Sequence, residues 1–198
     1  RDGVDEIAEL GQTEEDDPRS PHLAVAQNFF ESIATMVDGR GLTGIGVFER
    51  ILQSTPMIIR SYGVLPTNET EVRNKIVDVL KFCFSGVSKD VTLPKTLKTY
   101  RPDIGVMPLA AAAEYKFVSN EQKAKNVLDE LYADMRGYSG SPDWRSFYAV
   151  IYMTEPFYSQ SDVDEEFRFS GADLNWKPYV VVGQSGSPGE SQKKLDKK

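Results

Sequence analysis

The chain has 198 residues, enough for one domain with appendages or two small domains, and its 40% hydrophobic content is sufficient for a buried core. A single cysteine, Cys83, excludes an internal disulfide, and with a single histidine, His22, it also excludes Cys/His zinc sites. Ser–His–Asp or Cys–His catalysis is open only if His22 is the base. Carboxylates, lysines and hydroxyls are therefore left for most of the possible chemistry.

The net charge of −7 by itself opposes nucleic-acid binding, which usually needs a basic surface. Residues 1–20, however, contain eight acidic and two basic residues, so this stretch carries −6 and the rest of the chain only −1. The charge argument against a nucleic-acid partner therefore concerns mainly the N-terminal stretch.

Membrane association is not expected from the sequence. No apolar run approaches the ~18 residues that a spanning helix needs, and no segment has the pattern of a secretory signal. A lone cysteine favours a reducing, intracellular compartment, either cytoplasmic or nuclear.

The N-terminal third is predicted to be helical after an acidic start. Residues 1–20 lack apolar periodicity and are predicted to be a flexible lead-in. The apolar spacing after Pro21 predicts a helix over 21–38, with His22 at its exposed start. A second helix is predicted within 41–64, with a loop around 54–56. We assign residues 21–66 to a helical N-terminal extension.

From Asn68 onward the pattern changes to helix, strands, helix, strand. Asn68 is predicted to cap a helix that ends near Gly86, with Cys83 on its buried face. Ser119 and Gln122 predict a capping box for a helix over 120–136. The residues after 183 are rich in Gly and Ser and then basic, so 184–198 are predicted to be a disordered tail. The strands of this region are predicted at 91–93, 96–100, 104–109, 112–118, 144–153 and 179–182.

Two carboxylates and a lysine within this region suit metal-dependent phosphodiester hydrolysis. Asp103 and Glu114 offer the oxygen ligands that Mg²⁺ prefers, and the peptide oxygen of Tyr115 is a further candidate ligand. On a strand, Glu114 and Lys116 lie on the same face, which places the Lys116 ammonium beside the ion. There it can position or activate the attacking water.

The stretch RPDIGVMPLAAAAEYKFV, residues 101–118, resembles the active-site motif of the PD-(D/E)xK, restriction-endonuclease-like nucleases. The resemblance implies an α/β fold with an αβββαβ core around a central mixed sheet, here within 67–183 and preceded by N-terminal helices. It also implies a nuclease in which Asp103 and Glu114 bind Mg²⁺, Mn²⁺ substitutes, and Lys116 acts on water. The expected substrate is DNA rather than RNA, and a homodimer is expected of an enzyme that cuts both strands.

Members of this superfamily often add a glutamate from the first core helix to the metal site, and the chain offers Glu69 and Glu71. Helical geometry places Glu69 nearly on the azimuth of the buried Ile76, whereas Glu71 lies about 160° away from Glu69. We therefore predict Glu69 as a further metal ligand. Glu71, three residues after Asn68, fits a capping role.

Substrate contacts are predicted at Gln122, Lys123 and Lys125, in the helix that follows Lys116. Capping explains Gln122 equally well, and a solvated helix face explains the two lysines. Asp103 could likewise be a turn residue, and Glu114 with Lys116 an ion pair on an exposed strand face. The small residues before Glu114 favour close packing instead. The alternative to a nuclease is a catalytically silent module of this fold that acts as a nucleic-acid or protein binding or scaffold subunit.

Overall fold

The computed structural model describes residues 43–91, 93–94, 99–138 and 143–186. The predicted lead-in at 1–20, the predicted helix at 21–38 with His22, and all but the first three residues of the predicted tail lie outside these ranges. The statements below concern the described residues.

The predicted helix within 41–64 is two helices, α1 (Gly44–Gln53) and α2 (Thr55–Ser61). The Thr43 hydroxyl accepts a hydrogen bond from the Gly46 amide at 3.1 Å and caps α1. Pro56 lies in the first turn of α2, where its missing N–H costs nothing. The predicted loop around 54–56 is therefore only the junction between the two helices.

Helix α3 (Glu69–Cys83) begins where the sequence predicted. The Asn68 side chain accepts a hydrogen bond from the Glu71 amide at 3.0 Å, which confirms the predicted cap. The buried residues of α3 fall on one face, as its apolar spacing indicated, and Cys83 packs partly buried against that core.

In the described part of the chain, seven strands form two sheets. Five of them form a mixed sheet in the order β1-β4-β5-β6-β7, in which β1, β4 and β5 are antiparallel and β5, β6 and β7 are parallel. The short strands β2 and β3 pair only with each other, so the predicted strands at 91–93 and 96–100 do not extend the main sheet. The first strand of the five-stranded sheet is β1, which lies earlier in the chain and was not predicted from the sequence. The strands are β1 (Val87–Lys89), β2 (Leu93–Pro94), β3 (Thr99–Tyr100), β4 (Ile104–Val106), β5 (Ala111–Val118), β6 (Ser146–Met153) and β7 (Trp176–Val182).

Two further helices follow β5 and β6, namely α4 (Glu121–Tyr138) and α5 (Gln160–Ser170). The predicted Ser119/Gln122 capping box of α4 is wrong, because the Asn120 side chain accepts from the Lys123 amide at 2.9 Å and the helix starts one residue later. Helix α5 was not predicted, although Ser159 and Asp162 form a capping box at its start. Short 3₁₀ turns occupy Met107–Leu109, within a predicted strand, and Ala172–Leu174.

The helices cover both faces of the main sheet. One core cluster joins α1, α2 and α3 to the sheet face that carries Tyr115, and the other joins α4 and α5 to the opposite face. The buried Tyr115 hydroxyl lies 3.0 Å from Thr55 Oγ1, so α2 is tied to the centre of the sheet. This three-layer α/β arrangement with a mixed five-stranded sheet confirms the predicted fold class. Within the described ranges, no helix combines the length and apolar character that crossing a membrane requires.

Candidate active site

The pairing of β4 with β5 brings Asp103 and Glu114 together. Ile104 lies opposite Ala113 in the antiparallel ladder, so the next position in register sets Asp103 opposite Glu114. Residues directly opposite in such a pair project from the same face of the sheet and lie close together. Both residues are only 6% exposed, so they share a buried position at the end of β4.

Asp103 is held by two donors. Its Oδ2 accepts a hydrogen bond from the backbone amide of Tyr115 at 2.8 Å, just beyond the last backbone pair of the two strands. Its Oδ1 accepts from the Arg73 guanidinium at 2.6 Å. Arg73 also bonds to the more exposed Asp90 at 3.0 Å, so one arginine of α3 connects the two aspartates.

Glu114 and Lys116 are joined to each other and to helix α4. Lys116 Nζ donates to Glu114 Oε1 at 3.0 Å and to Asp134 Oδ2 at 2.8 Å. The remaining oxygen of Glu114, Oε2, accepts from the hydroxyl of Tyr138 at 2.9 Å. The predicted same-face position of Glu114 and Lys116 is therefore confirmed, and their ion pair is largely buried.

The site disfavours the ionised form of three of its carboxyl groups. Burial, together with the nearby Asp103, raises the pKa of Glu114 to about 8. Burial also raises the pKa of Asp103, against the opposing effect of the Tyr115 amide and Arg73. Burial and the proximity of Asp103 raise the pKa of Glu69 to about 7. A nearby cation would relieve this repulsion.

The lysine of the site keeps its charge. The pKa of Lys116 is raised because the favourable effect of Glu114 and Asp134 exceeds the penalty of burial. Among the described residues, the contacts around the two central carboxylates group five acids with two bases. The acids are Glu69, Asp90, Asp103, Glu114 and Asp134, and the bases are Arg73 and Lys116.

The two glutamates at the start of α3 have different surroundings. Glu69 is half-buried and near enough to Asp103 and Lys116 for both charges to affect its pKa. Glu71 instead accepts a hydrogen bond from the Thr67 amide at 2.8 Å, at the helix start. The structure therefore places Glu69 beside the site. Glu71 does stabilise the helix start, but it binds the Thr67 amide and not the Asn68 amide that a capping box requires. The metal-binding role of Glu69 stays a prediction.

A cleft of about 270 Å³ opens beside Lys116, between the N-terminal ends of α3 and α4. Lys123 is one of its lining residues, and its ammonium lies 5.5 Å from the centre of the Phe117 ring. Lys125 and Gln122 are exposed and are not among the lining residues, and Gln122 bonds to Asn126 at 3.3 Å. The lining residues are Asn68, Glu69, Lys116, Phe117, Val118, Lys123, Val127 and Glu130.

The donor set is compatible with a hard divalent cation. Each oxygen of Asp103 and Glu114 already accepts one hydrogen bond, and a carboxylate can accept about four in total, so each oxygen retains a lone pair. Among the described residues, no group of three or more Asp, Glu, His or Cys side chains is arranged to hold a metal ion. Two carboxylates still suit Mg²⁺, which keeps several of its waters when bound to protein.

Three contacting residues were missed by sequence reasoning, namely Arg73, Asp134 and Tyr138. Arg73 follows Glu69 by one helical turn, so both lie on the same face of the helix, and this spacing could have identified Arg73 as a site residue. Asp134 and Tyr138 are likewise one turn apart, but nothing near them in the sequence links them to β5. Their contacts result from the packing of α4 on the sheet.

Comparison with known proteins agrees with this geometry. No curated protein and no solved structure matches the chain. A sequence model of the DpnII-MboI restriction endonucleases matches residues 65–175, more than half of the chain. The match spans α3, the sheet from β1 to β6, and all of the residues around Asp103 and Glu114. The chain therefore belongs to the DpnII-MboI restriction endonuclease family, a restriction-endonuclease-like nuclease family.

Proposed function

We propose that the protein is a Mg²⁺-dependent endonuclease that hydrolyses phosphodiester bonds in DNA. The observation that carries the proposal is the buried group of Asp103, Glu114 and Lys116, formed at one end of β4 in a chain of a restriction endonuclease family. A bound Mg²⁺ would supply an activated water and charge neutralisation for the phosphoryl group. Mn²⁺, of similar ligand preference, is expected to substitute.

Each residue of the group has a distinct proposed role. Asp103 and Glu114 hold the metal through carboxylate oxygens, with the peptide oxygen of Tyr115 and the Glu69 carboxylate as further ligands. Lys116, whose ammonium lies 3.0 Å from Glu114, positions or activates the water and stabilises charge on the phosphate. Burial supports these roles, because electrostatic interactions are stronger where water is largely excluded.

The cleft beside Lys116 is the proposed binding site for the DNA backbone. Lys116 and Lys123 supply positive charge there, and the cleft opens next to the proposed scissile position. A homodimer, which would allow both strands to be cut, stays a prediction.

The central test is cleavage of plasmid DNA, single-stranded DNA and RNA with Mg²⁺ or Mn²⁺ by the wild type, Lys116→Ala and Glu114→Ala. Both variants are expected to lose at least about 100-fold in kcat, because each removes charge stabilisation from a buried site. Lys81→Ala, in the exposed last turn of α3, is the control for loss of a lysine and is expected to cut like the wild type.

Two outcomes would contradict the proposal. Equal activity of the wild type and both variants would remove the assigned residues from catalysis. A wild type that binds DNA but does not cut it with either metal would instead favour a catalytically silent binding module. Melting temperatures of all variants show whether a loss of activity follows from unfolding.

The cleft predicts different effects for two neighbouring lysines. Lys123→Ala is expected to weaken DNA binding and to reduce the slope of log K against log salt by about one, the effect of one lost phosphate contact. Lys125→Ala is expected to change both quantities less, because Lys125 lies outside the cleft lining. Fluorescence anisotropy with labelled DNA over a series of salt concentrations measures this, with Lys81→Ala as the charge control. Equal effects of the two lysine variants would contradict the assignment of the cleft.

A further inference from the structure

Helix α4 contacts both active-site residues of β5 from a single helical turn. Asp134 accepts a hydrogen bond from Lys116 Nζ at 2.8 Å, and the Tyr138 hydroxyl donates to Glu114 Oε2 at 2.9 Å. Asp134 and Tyr138 are four residues apart, so they project from the same side of the helix. One side of α4 therefore holds the carboxylate and the ammonium of the Glu-x-Lys pair together.

This part of α4 is firmly fixed to the sheet. Tyr138 is only 2% exposed, and its ring packs against Phe147 of β6 and Trp176 of β7, at centroid distances of 6.0 and 5.7 Å. These two rings are themselves stacked at 5.1 Å. The neighbouring Leu131 and Met135 are buried in the same core cluster. The side chains of Asp134 and Tyr138 thus start from a backbone that cannot shift without disturbing the core.

We propose that Asp134 and Tyr138 are positioning residues of the nuclease site, an inference that rests on the proposed function. Tyr138 orients Glu114 for metal binding, and Asp134 holds the Lys116 ammonium beside it. A free lysine side chain has about 2 kcal/mol of rotamer entropy, so an ammonium without a fixed partner would occupy several positions. Placement errors of about 1 Å at a reacting centre are enough to slow a reaction by about 100-fold.

Asp134 gives Lys116 a partner that does not depend on Glu114. Lys116 bonds to the carboxylates of Glu114 and Asp134, at 3.0 Å and 2.8 Å. A cation bound at Glu114 would weaken the attraction between Glu114 and the ammonium, whereas Asp134 is not among the proposed metal ligands and still contacts Lys116. Asp134 is therefore the anchor of Lys116 in the metal-loaded protein.

The test compares steady-state DNA cleavage and Ca²⁺ binding by titration calorimetry for Asp134→Ala and Asp134→Asn. Asp134→Ala is expected to lower kcat about 10- to 100-fold while KM and the Ca²⁺ Kd change by less than about threefold, because only Lys116 is displaced. Asp134→Asn, which has nearly the same shape and retains a carbonyl acceptor, is expected to recover part of kcat. Asp129→Ala, which removes an exposed acid from the same helix, is the control and should behave like the wild type.

Tyr138→Phe should give the complementary result. The ring stacking is preserved but Glu114 Oε2 loses its donor, so Ca²⁺ binding is expected to weaken about 10-fold, as when the hydrogen-bond partner of a metal ligand is removed. Melting temperatures near that of the wild type would confirm that Asp134→Asn and Tyr138→Phe fold.

Three outcomes would overturn the inference. If Asp134→Ala kept the wild-type kcat, Asp134 would be an ordinary ion-pair partner. If it weakened Ca²⁺ binding in proportion to kcat, Asp134 would be a metal ligand and not a positioning residue. If the wild type neither cut DNA nor bound Ca²⁺, the proposed function would fall together with the inference, whereas the first two results leave the proposed function intact.

Discussion

Asp103→Ala is expected to abolish DNA cleavage and, in metal-free buffer, to lower the free energy of unfolding by about 1–3 kcal/mol. The donors that it leaves unpaired outweigh the relief of repulsion between Asp103 and the carboxylates of Glu114 and Glu69. The Asp103 carboxylate accepts from the buried amide of Tyr115 and from Arg73, whose side chain is only 15% exposed. The variant would remove the acceptor of that amide. Among the ion pairs of the described residues, it would leave Arg73 with the one to the exposed Asp90. Thermal melts in EDTA should show a decrease of about 2–12 °C for a domain of this size.

Two further variants separate the causes of this destabilisation. Asp90→Asn removes the negative charge of the exposed partner of Arg73. Asparagine also tolerates the left-handed backbone of this position, where φ is 50°. The melting temperature of this variant should therefore stay close to that of the wild type. Arg73→Met combined with Asp103→Ala removes both halves of the buried pair and should be more stable than Asp103→Ala alone. A wild-type melting temperature for Asp103→Ala would contradict the account.

The central pair of the site could be predicted because its geometry is local. Glu114 and Lys116 lie two residues apart on a strand, and a two-residue period places both on one face whatever the rest of the fold. The Asn68 cap was predictable for the same reason, since a capping side chain bonds only to amides two or three residues away. The match to the restriction endonuclease family model also agrees with the fold class that the sequence predicted.

The contacts made by α4 could not be predicted from the sequence. Asp134 lies 18 residues from Lys116 along the chain, and Tyr138 lies 24 residues from Glu114. Their approach depends on how α4 packs across β5, which the apolar spacing of α4 does not specify. Leu131 and Met135 of α4 are buried, as their spacing of four residues allows, but this spacing gives no sign that Asp134 between them faces the site.

The errors at the edges of the sheet have a similar cause. Strand β1 has three residues and pairs only with the equally short β4, so its sequence carries little periodic information. Helix α5 was missed because only Val163 and Phe167 are buried among many polar residues. Short elements are specified by their partners more than by their own residues, and the partners are distant in the sequence.

Gly105→Ala is the second substitution with a large expected effect, because β4 has no room for a side chain at this position. A Cβ on Gly105 would lie 2.5 Å from Trp144 Cη2 and 2.5 Å from Val91 Cγ2. Strand β4 is hydrogen-bonded to β1 and β5 on its two edges, so it cannot move away easily. We expect a loss of about 2–3 kcal/mol in the free energy of unfolding, the upper part of the usual range for overpacking, and a melting temperature about 4–12 °C lower.

The same substitution should reduce cleavage, which links the packing of β4 to the site. Asp103 precedes Gly105 by two residues, so a shift of β4 changes the distance between Asp103 and Glu114 on the opposite strand. Trp144→Phe removes the outer ring that carries Cη2, and on its own it should destabilise the core by leaving a cavity. Combined with Gly105→Ala it should cost less than the sum of the two single losses, by about 1 kcal/mol or more. Strictly additive losses, or full cleavage activity in Gly105→Ala, would show that contact with Trp144 does not set the position of β4.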